Sequence, residues 1–405
     1  MLKKHFSRSM ANDPEIHLDK TRNRMGELFT ANQVLGRTRT IGCTAVEITQ
    51  RCNLDCALCY LSEHSESVKD IPIEVIFQRL DEIINEYGVG THVQITGGDP
   101  TLRKNSELIE IVGYARSIGL YPALFTNGIA ASRSLLKKLA EAGLCDIAFH
   151  VDTSQGRKGY ETEESLNSLR LEYIERARGL GLMVIFNTTI YQGNIKDIPS
   201  LLKFFASQSD VVGFSSFQLQ AETGRGVWRK REDIVSQDNI RKKIDLAANK
   251  SLPWGLVQVG HRKCHSYMPL FVIGDGIYPV INDGQLVEEF LHDFKSVRED
   301  RHNKIHEICY GYGKVLLQKP KWLIKGLHYI VKLILTVNID LIRAKGKINK
   351  LSLFIHDFMD AENLDMERVD ACSFMLMTNH GPVSMCAHNA KRDEYILQAI
   401  TVTRR

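Results

Sequence analysis

The sequence predicts an α/β fold, a partial (β/α)6 barrel of parallel strands followed by a helical, cysteine-containing C-terminal region. Six short runs of β-branched and aromatic residues recur between Ala45 and Leu219, and longer stretches of helical period separate them. Parallel strands need crossovers of a dozen or more residues, which these stretches supply. Glycines that close the apolar-periodic segments mark where helices stop. An open doubly wound sheet would give the same string.

The strand candidates, in order, are AVEIT (45–49), HVQIT (92–96), YPALFTN (121–127), CDIAFHV (145–151), LMVIFNTTI (182–190) and VVGFSSFQL (211–219). Between them stand helix candidates such as IEVIFQRLDEIINEYG, SELIEIVGYARSIG, RSLLKKLAEAG and LEYIERARGLG. Chemistry in parallel α/β folds gathers at the C-terminal ends of strands, so each segment just after a strand is a ligand candidate.

The first strand runs into RCNLDCALCY, where three and then two residues separate Cys52, Cys56 and Cys59. Three thiolates this close can hold three irons of a 4Fe–4S cluster, and the fourth iron is left open. Structural zinc wants four closed ligands, and only Cys56 and Cys59 form a Cys-x2-Cys pair. An odd total of nine cysteines in an otherwise ordinary composition does not form a secreted disulfide framework.

The spacing Cys-x3-Cys-x2-Cys in the first fifth of the chain resembles the radical S-adenosylmethionine (SAM) superfamily. That resemblance implies a barrel of radical SAM type, an open iron that chelates SAM, and reductive cleavage giving a 5′-deoxyadenosyl radical able to functionalise or couple unactivated C–H carbon. The protein then supplies position and seclusion. Leu58 stands where the superfamily usually has an aromatic residue, and Tyr60 follows the third cysteine. Gly97-Gly98-Asp99-Pro100 is similar to the superfamily's GGEP segment, whose glycines let backbone approach SAM. Thr126-Asn127-Gly128 is similar to its TNG segment, and equally reads as a plain Asn-Gly turn. After the fourth strand, Asp152 and Ser154 are candidates for the SAM ribose hydroxyls, with a helix cap as the alternative. Asn187-Thr188-Thr189 faces the same mouth, and Glu222-Thr223-Gly224-Arg225 resembles a segment that closes the core. The resemblance also implies an electron donor such as flavodoxin or ferredoxin.

The period changes after Gly226, which divides the chain into an extension (1–40), a core (41–225) and a C-terminal region (226–405). The last region holds Cys264, Cys309, Cys372 and Cys386, enough by count for a second 4Fe–4S cluster. Cys309, in IHEICYGYG, reads equally well as a core thiol, and then His265, His388 or a substrate atom would fill the fourth place. Cys43 and Cys145 read as packing. The stretch from Leu316 to Lys350 is apolar but punctuated by Lys325, Lys332, Arg343 and Lys345. It predicts amphipathic helices covering the barrel mouth, or an interfacial helix with Trp322 and the lysines at lipid head groups.

The C-terminal strings GHRKCHSYMPLFVIGDG, around Cys264, and DACSFMLMTNHGPVSMCAHNAKR, around Cys372 and Cys386, look like those of the radical SAM subfamily that includes tetraether lipid synthase and its bacterial relatives, which implies a lipid chain as substrate. A peptide or small polar metabolite is the second reading, and a non-catalytic metal-stabilised scaffold the third. A net charge of +4 without basic runs interleaved with aromatics argues against nucleic acid. The N-terminus lacks an apolar signal core and no uncharged apolar run is long enough to span a bilayer, so the expected location is cytoplasmic, with peripheral membrane contact as the variant.

Overall fold

The computed structural model describes residues 14–36, 40–228, 234–297 and 305–397; residues 1–13, on which most of the N-terminal reading falls, lie outside them. After helix α1 (Pro14–Met25), six strands follow close to their predicted bounds: β1 (Cys43–Thr49), β2 (His92–Gly97), β3 (Tyr121–Thr126), β4 (Asp146–His150), β5 (Met183–Ile190) and β6 (Val212–Leu219). They pair in parallel and in sequential order, β1 to β6, with no reversal. A doubly wound sheet would reverse its order at a switch point. The crossovers are α2 (Ile73–Tyr87), α3 (Asn105–Ser117), α4 (Arg133–Glu141), α5 (Asn167–Ala177) and α6 (Ile198–Ser207).

Helical spacing explains how these crossovers seat. Along α2, Val75, Ile76, Leu80, Ile83 and Tyr87 form one buried stripe, and Gly88 ends the helix at a φ of +83° that favours glycine. Ser132 caps α4 by accepting from the Leu135 amide at 3.2 Å. Their apolar faces and the strands share one core, in which Val46, Ile95, Leu124, Ile147 and Phe186 have no exposed surface.

The chain after residue 226 carries the expected helices and adds strands to them. It supplies α7 (Gln237–Ala248), α8 (Gly284–Asp293), α9 (Ile305–Gln318), α10 (Lys321–Arg343), α11 (Met366–Asp370), α12 (Met385–Ala390) and α13 (Arg392–Ile396), but also β7 (His265–Ile273), β8 (Gly276–Pro279), β9 (Asn349–His356), β10 (Phe374–Thr378) and β11 (Gly381–Ser384). These strands join the same sheet. β9 lies parallel to β6 and carries β7 and β8, whereas β10 lies parallel to β1 and carries β11. The β7–β8 hairpin turns on Gly274 and Asp275, Gly274 having φ +58°.

Candidate functional site

One face of this sheet surrounds a single cavity of about 1510 Å³, lined by residues from β1 to β7, β9 and β10 and by the three clustered cysteines. Cys52, Cys56 and Cys59 sit in the loop after β1, at the C-terminal ends of the parallel strands.

Backbone hydrogen bonds fix that loop at its entry, its middle and its exit. The amides of Gly98 and Asp99 donate to the carbonyls of Thr49 (2.9 Å) and Arg51 (2.7 Å). A Cβ on Gly97 would stand 1.9 Å from the Thr49 oxygen, and one on Gly98 2.0 Å from the Arg51 oxygen, so only glycines let β2 leave flush against the loop. Midway, the Ala57 amide donates to the Ser154 carbonyl at 3.0 Å. At the exit, Arg225 and Gly226 donate to Leu61 (2.9 Å) and Cys59 (3.1 Å), and Arg225 pairs with Asp55 at 3.2 Å. Asn127 reaches in from β3, donating to Asn53 Oδ1 at 2.6 Å with its amide nitrogen 3.8 Å from Cys52 Sγ. Tyr60 donates its hydroxyl to the Gly97 carbonyl at 2.5 Å.

The three thiols are partly buried. Burial raises each above the ordinary cysteine range, and the charge of a neighbouring cysteine raises Cys52 and Cys56 further. A cationic centre among them would reverse that penalty, because a bound metal keeps thiolates deprotonated. Among the described residues, no three cysteine, histidine or acidic side chains gather tightly enough to hold a single ion. Sulfurs on one zinc lie within about 4 Å of each other, given bonds of about 2.3 Å. Three thiolates on one loop at one end of the cavity are the donor set that holds three irons of a 4Fe–4S cluster.

The structure divides the predicted cofactor residues in two. Tyr60, Gly97, Gly98, Asn127 and Ser154 line the cavity with the cysteines. Asp99 and Asp152 do not, which corrects their assignment: both are fully buried and committed to bracing loops. Asp99 accepts from the Thr101 amide (3.0 Å) and hydroxyl (2.5 Å), the Thr126 hydroxyl (2.9 Å) and the Asn127 amide (2.9 Å). Asp152 accepts from the Ser154 amide (2.9 Å) and hydroxyl (2.5 Å) and from the Thr189 amide (2.9 Å), with His150 Nε2 at 2.9 Å. Burial would raise the Asp152 carboxyl, but those donors together hold it below its ordinary value.

Sequence reasoning missed a buried ion pair beside Tyr60. Arg392 donates to Glu47 at 2.7 Å, Gln50 donates to the other Glu47 oxygen at 2.7 Å, and the guanidinium stands 4.6 Å from the Tyr60 ring. Some 345 positions separate the two charges, so no local pattern could reveal them.

Residues 46–205 match the radical SAM superfamily domain. The chain carries a radical SAM domain. It is 26% identical over 397 residues to 7,8-dihydro-6-hydroxymethylpterin dimethyltransferase of Methanocaldococcus jannaschii, covering 88% of this chain and 75% of that one. It is 30% identical over 162 residues to the PqqA peptide cyclase of a Methylobacterium species, covering 38% and 41%. A solved structure, SuiB of Streptococcus suis bound to the precursor peptide SuiA, overlaps 59% of this chain and 51% of its own with a TM-score of 0.43 and 14% identity. The chain is accordingly a radical SAM enzyme whose family uses a 4Fe–4S cluster and S-adenosylmethionine.

Of the four C-terminal cysteines, three share one neighbourhood of this radical SAM fold. Cys264, before β7, and Cys372, before β10, are buried, and Cys386 on α12 reaches the cavity. Burial pushes Cys264 up to about 11 and Cys386 up to about 12, and charge on Cys372 raises both. Arg368 donates to Cys264 Sγ at 3.2 Å, and the Met359 amide donates to Cys386 Sγ at 3.5 Å. Cys309 stands exposed on α9, which overturns its reading as a core thiol and sets it apart from the other three. His265 is buried in direct register with His356, their rings 5.0 Å apart, whereas His388 stacks on Tyr395 at 4.7 Å. Cys43 and Cys145 are buried, as packing residues should be.

Proposed function

We propose that Cys52, Cys56 and Cys59 hold the 4Fe–4S cluster of an enzyme that removes hydrogen from an unactivated carbon in an apolar chain, and that Cys264, Cys372 and Cys386 hold a second iron–sulfur group. One observation carries the substrate reading. The cavity that begins at the cysteines is polar at that end, with Asn127, Ser154, Asn187 and Gln218. It continues unbroken to a wall of Phe290, Phe294, Ile308, Leu316, Trp322 and Tyr329. At about 1510 Å³ it exceeds the several hundred cubic ångströms typical of a small-molecule site, leaving room for a cofactor and a long substrate together.

A cluster held by Cys52, Cys56 and Cys59 would, with SAM and one electron from an external donor, cleave the sulfonium C–S bond and supply methionine and a 5′-deoxyadenosyl radical at the polar end. Asn127 and Ser154 present polar atoms to the cofactor there, and the Tyr60 hydroxyl holds the Gly97 carbonyl in place. The aromatic wall orients an alkyl chain and excludes water, which protects a reactive intermediate. The likeness of the C-terminal strings to tetraether lipid synthase supports the same reading.

A small polar or peptide substrate is the second reading, favoured by the names of the pterin dimethyltransferase and peptide cyclase relatives. The test is 5′-deoxyadenosine formation by anaerobically reconstituted protein with SAM and dithionite, alone and with added lipid, peptide or pterin. Cys56→Ala should lose all of it, because two thiolates do not retain the cluster. Stimulation by lipid supports the proposal; stimulation only by peptide or pterin replaces it. Survival of activity in the variant would remove the cysteines from the site, and a colourless protein would point to a scaffold.

A further inference from the structure

Helices α9 and α10 carry an apolar face that no described residue covers. Ile324, Leu335 and Ile342 are 74%, 68% and 78% exposed, Leu317 is 87% exposed, and Leu327 and Val331 lie on the same side of α10. These positions recur every three or four residues, so they form one stripe along the helix. By length and composition α10 could cross a membrane, but its inner edge is tied to the protein along its length. Trp322 donates to Asp293 (2.8 Å), Lys325 to Glu289 (2.5 Å), Tyr329 to the Val280 carbonyl (2.7 Å), and Tyr278 to Asp340 (2.5 Å). A spanning helix would strand those groups in hydrocarbon.

Charge selects the occupant. From Lys314 to Lys350 the sequence holds nine basic residues and one acidic residue, Asp340. Lys314, Lys332, Arg343, Lys345 and Lys347 are exposed beside the apolar stripe. Exposed apolar side chains flanked by cations match an anionic lipid surface, with the helix lying in the interface plane. The reverse side of the same helix, through Trp322, Gly326 and Tyr329, lines the cavity that reaches the three cysteines.

We infer that α9 and α10 dock the protein flat on an anionic lipid bilayer, so that an acyl chain passes from the bilayer past α10 into the cavity. The docking stands by itself; the passage of the chain rests on the apolar-substrate reading above.

The experiment is sedimentation of the full-length, anaerobically reconstituted protein with vesicles of phosphatidylglycerol and phosphatidylcholine, and with phosphatidylcholine alone. Wild type should bind the anionic vesicles, and binding should weaken with salt. Lys332→Glu and Lys347→Glu should each weaken it about fivefold or more. Leu327→Asp with Leu335→Asp should abolish it. Both positions are exposed, so the melting temperature and substrate-free SAM cleavage should match wild type, whereas Cys56→Ala should bind vesicles and lose cleavage. Absence of wild-type binding to either vesicle, or binding indifferent to these substitutions, overturns the docking. A dimer by light scattering that Leu327→Asp dissociates, without vesicle binding, assigns the face to a second copy instead. Normal docking with no stimulation of cleavage by lipid would leave the surface standing and remove the acyl chain as substrate.

Discussion

Asp99 and Asp152 perform one task on two loops: in Asp99-Pro100-Thr101 and Asp152-Thr153-Ser154, the carboxylate accepts from the amide and the hydroxyl two residues ahead. That Asp-x-Thr or Asp-x-Ser pattern was legible in the sequence as a local turn signal. For Asp99, similarity to a motif with glutamate at that place pointed to the cofactor instead; for Asp152, the cap given as its alternative is the arrangement found. Asp99→Ala would leave the Thr101 and Asn127 amides without acceptors, at a cost of about 3 kcal/mol or more; denaturant unfolding should read that loss, and iron content after reconstitution should fall with it. His356 gives the protein a pH response. Burial pushes its pKa down to about 3, so the folded state keeps the ring neutral while an unfolded chain protonates it below about 6.5. The unfolded state then binds more protons, and stability drops as pH falls through that window by up to about 1.4 kcal/mol per unit. Unfolding curves between pH 7 and 5 should show this slope added to those of His265 and His388, which burial also holds neutral, and His356→Phe should remove about 1.4 kcal/mol per unit of it.

Six strands of the core were legible because each is a short β-branched run bounded by polar turn residues; their sequential order was not, because crossovers of the same length serve an open doubly wound sheet. The C-terminal strands were not legible. Their runs, such as LSLFIH and FMLMT, are brief, lie among helical segments, and pair with strands far away in sequence. Register decides such pairings, and register with a distant strand leaves no periodic trace. Gly97-Gly98 shows the converse, where a motif was recognised but its main structural purpose was hidden. The pair allows β2 and the cysteine loop to touch backbone to backbone. Gly98→Ala should therefore displace residues 49–51 and lower cluster occupancy, measured as iron per chain and visible absorbance, while the far-UV spectrum stays that of wild type. Retention of full iron would show that the loop tolerates the shift.

At the scale of the molecule, the cysteine triad was readable from spacing alone, and the cavity was not. It needs Arg392 beside Glu47 and Trp322 within reach of a pocket that begins at Cys52, and only the assembled sheet brings these together. The same assembly has a consequence in time. β1 pairs with β2 on one side and with β10 on the other, and about 325 residues separate Thr49 from Phe374. At roughly 5–20 residues per second of synthesis, the far edge of β1 waits roughly 15–65 s for its partner to be made. Throughout that interval a nascent chain carries an unsatisfied strand edge, the kind of surface that other chains pair with. Newly made protein should therefore depend on whatever shelters that edge at the ribosome.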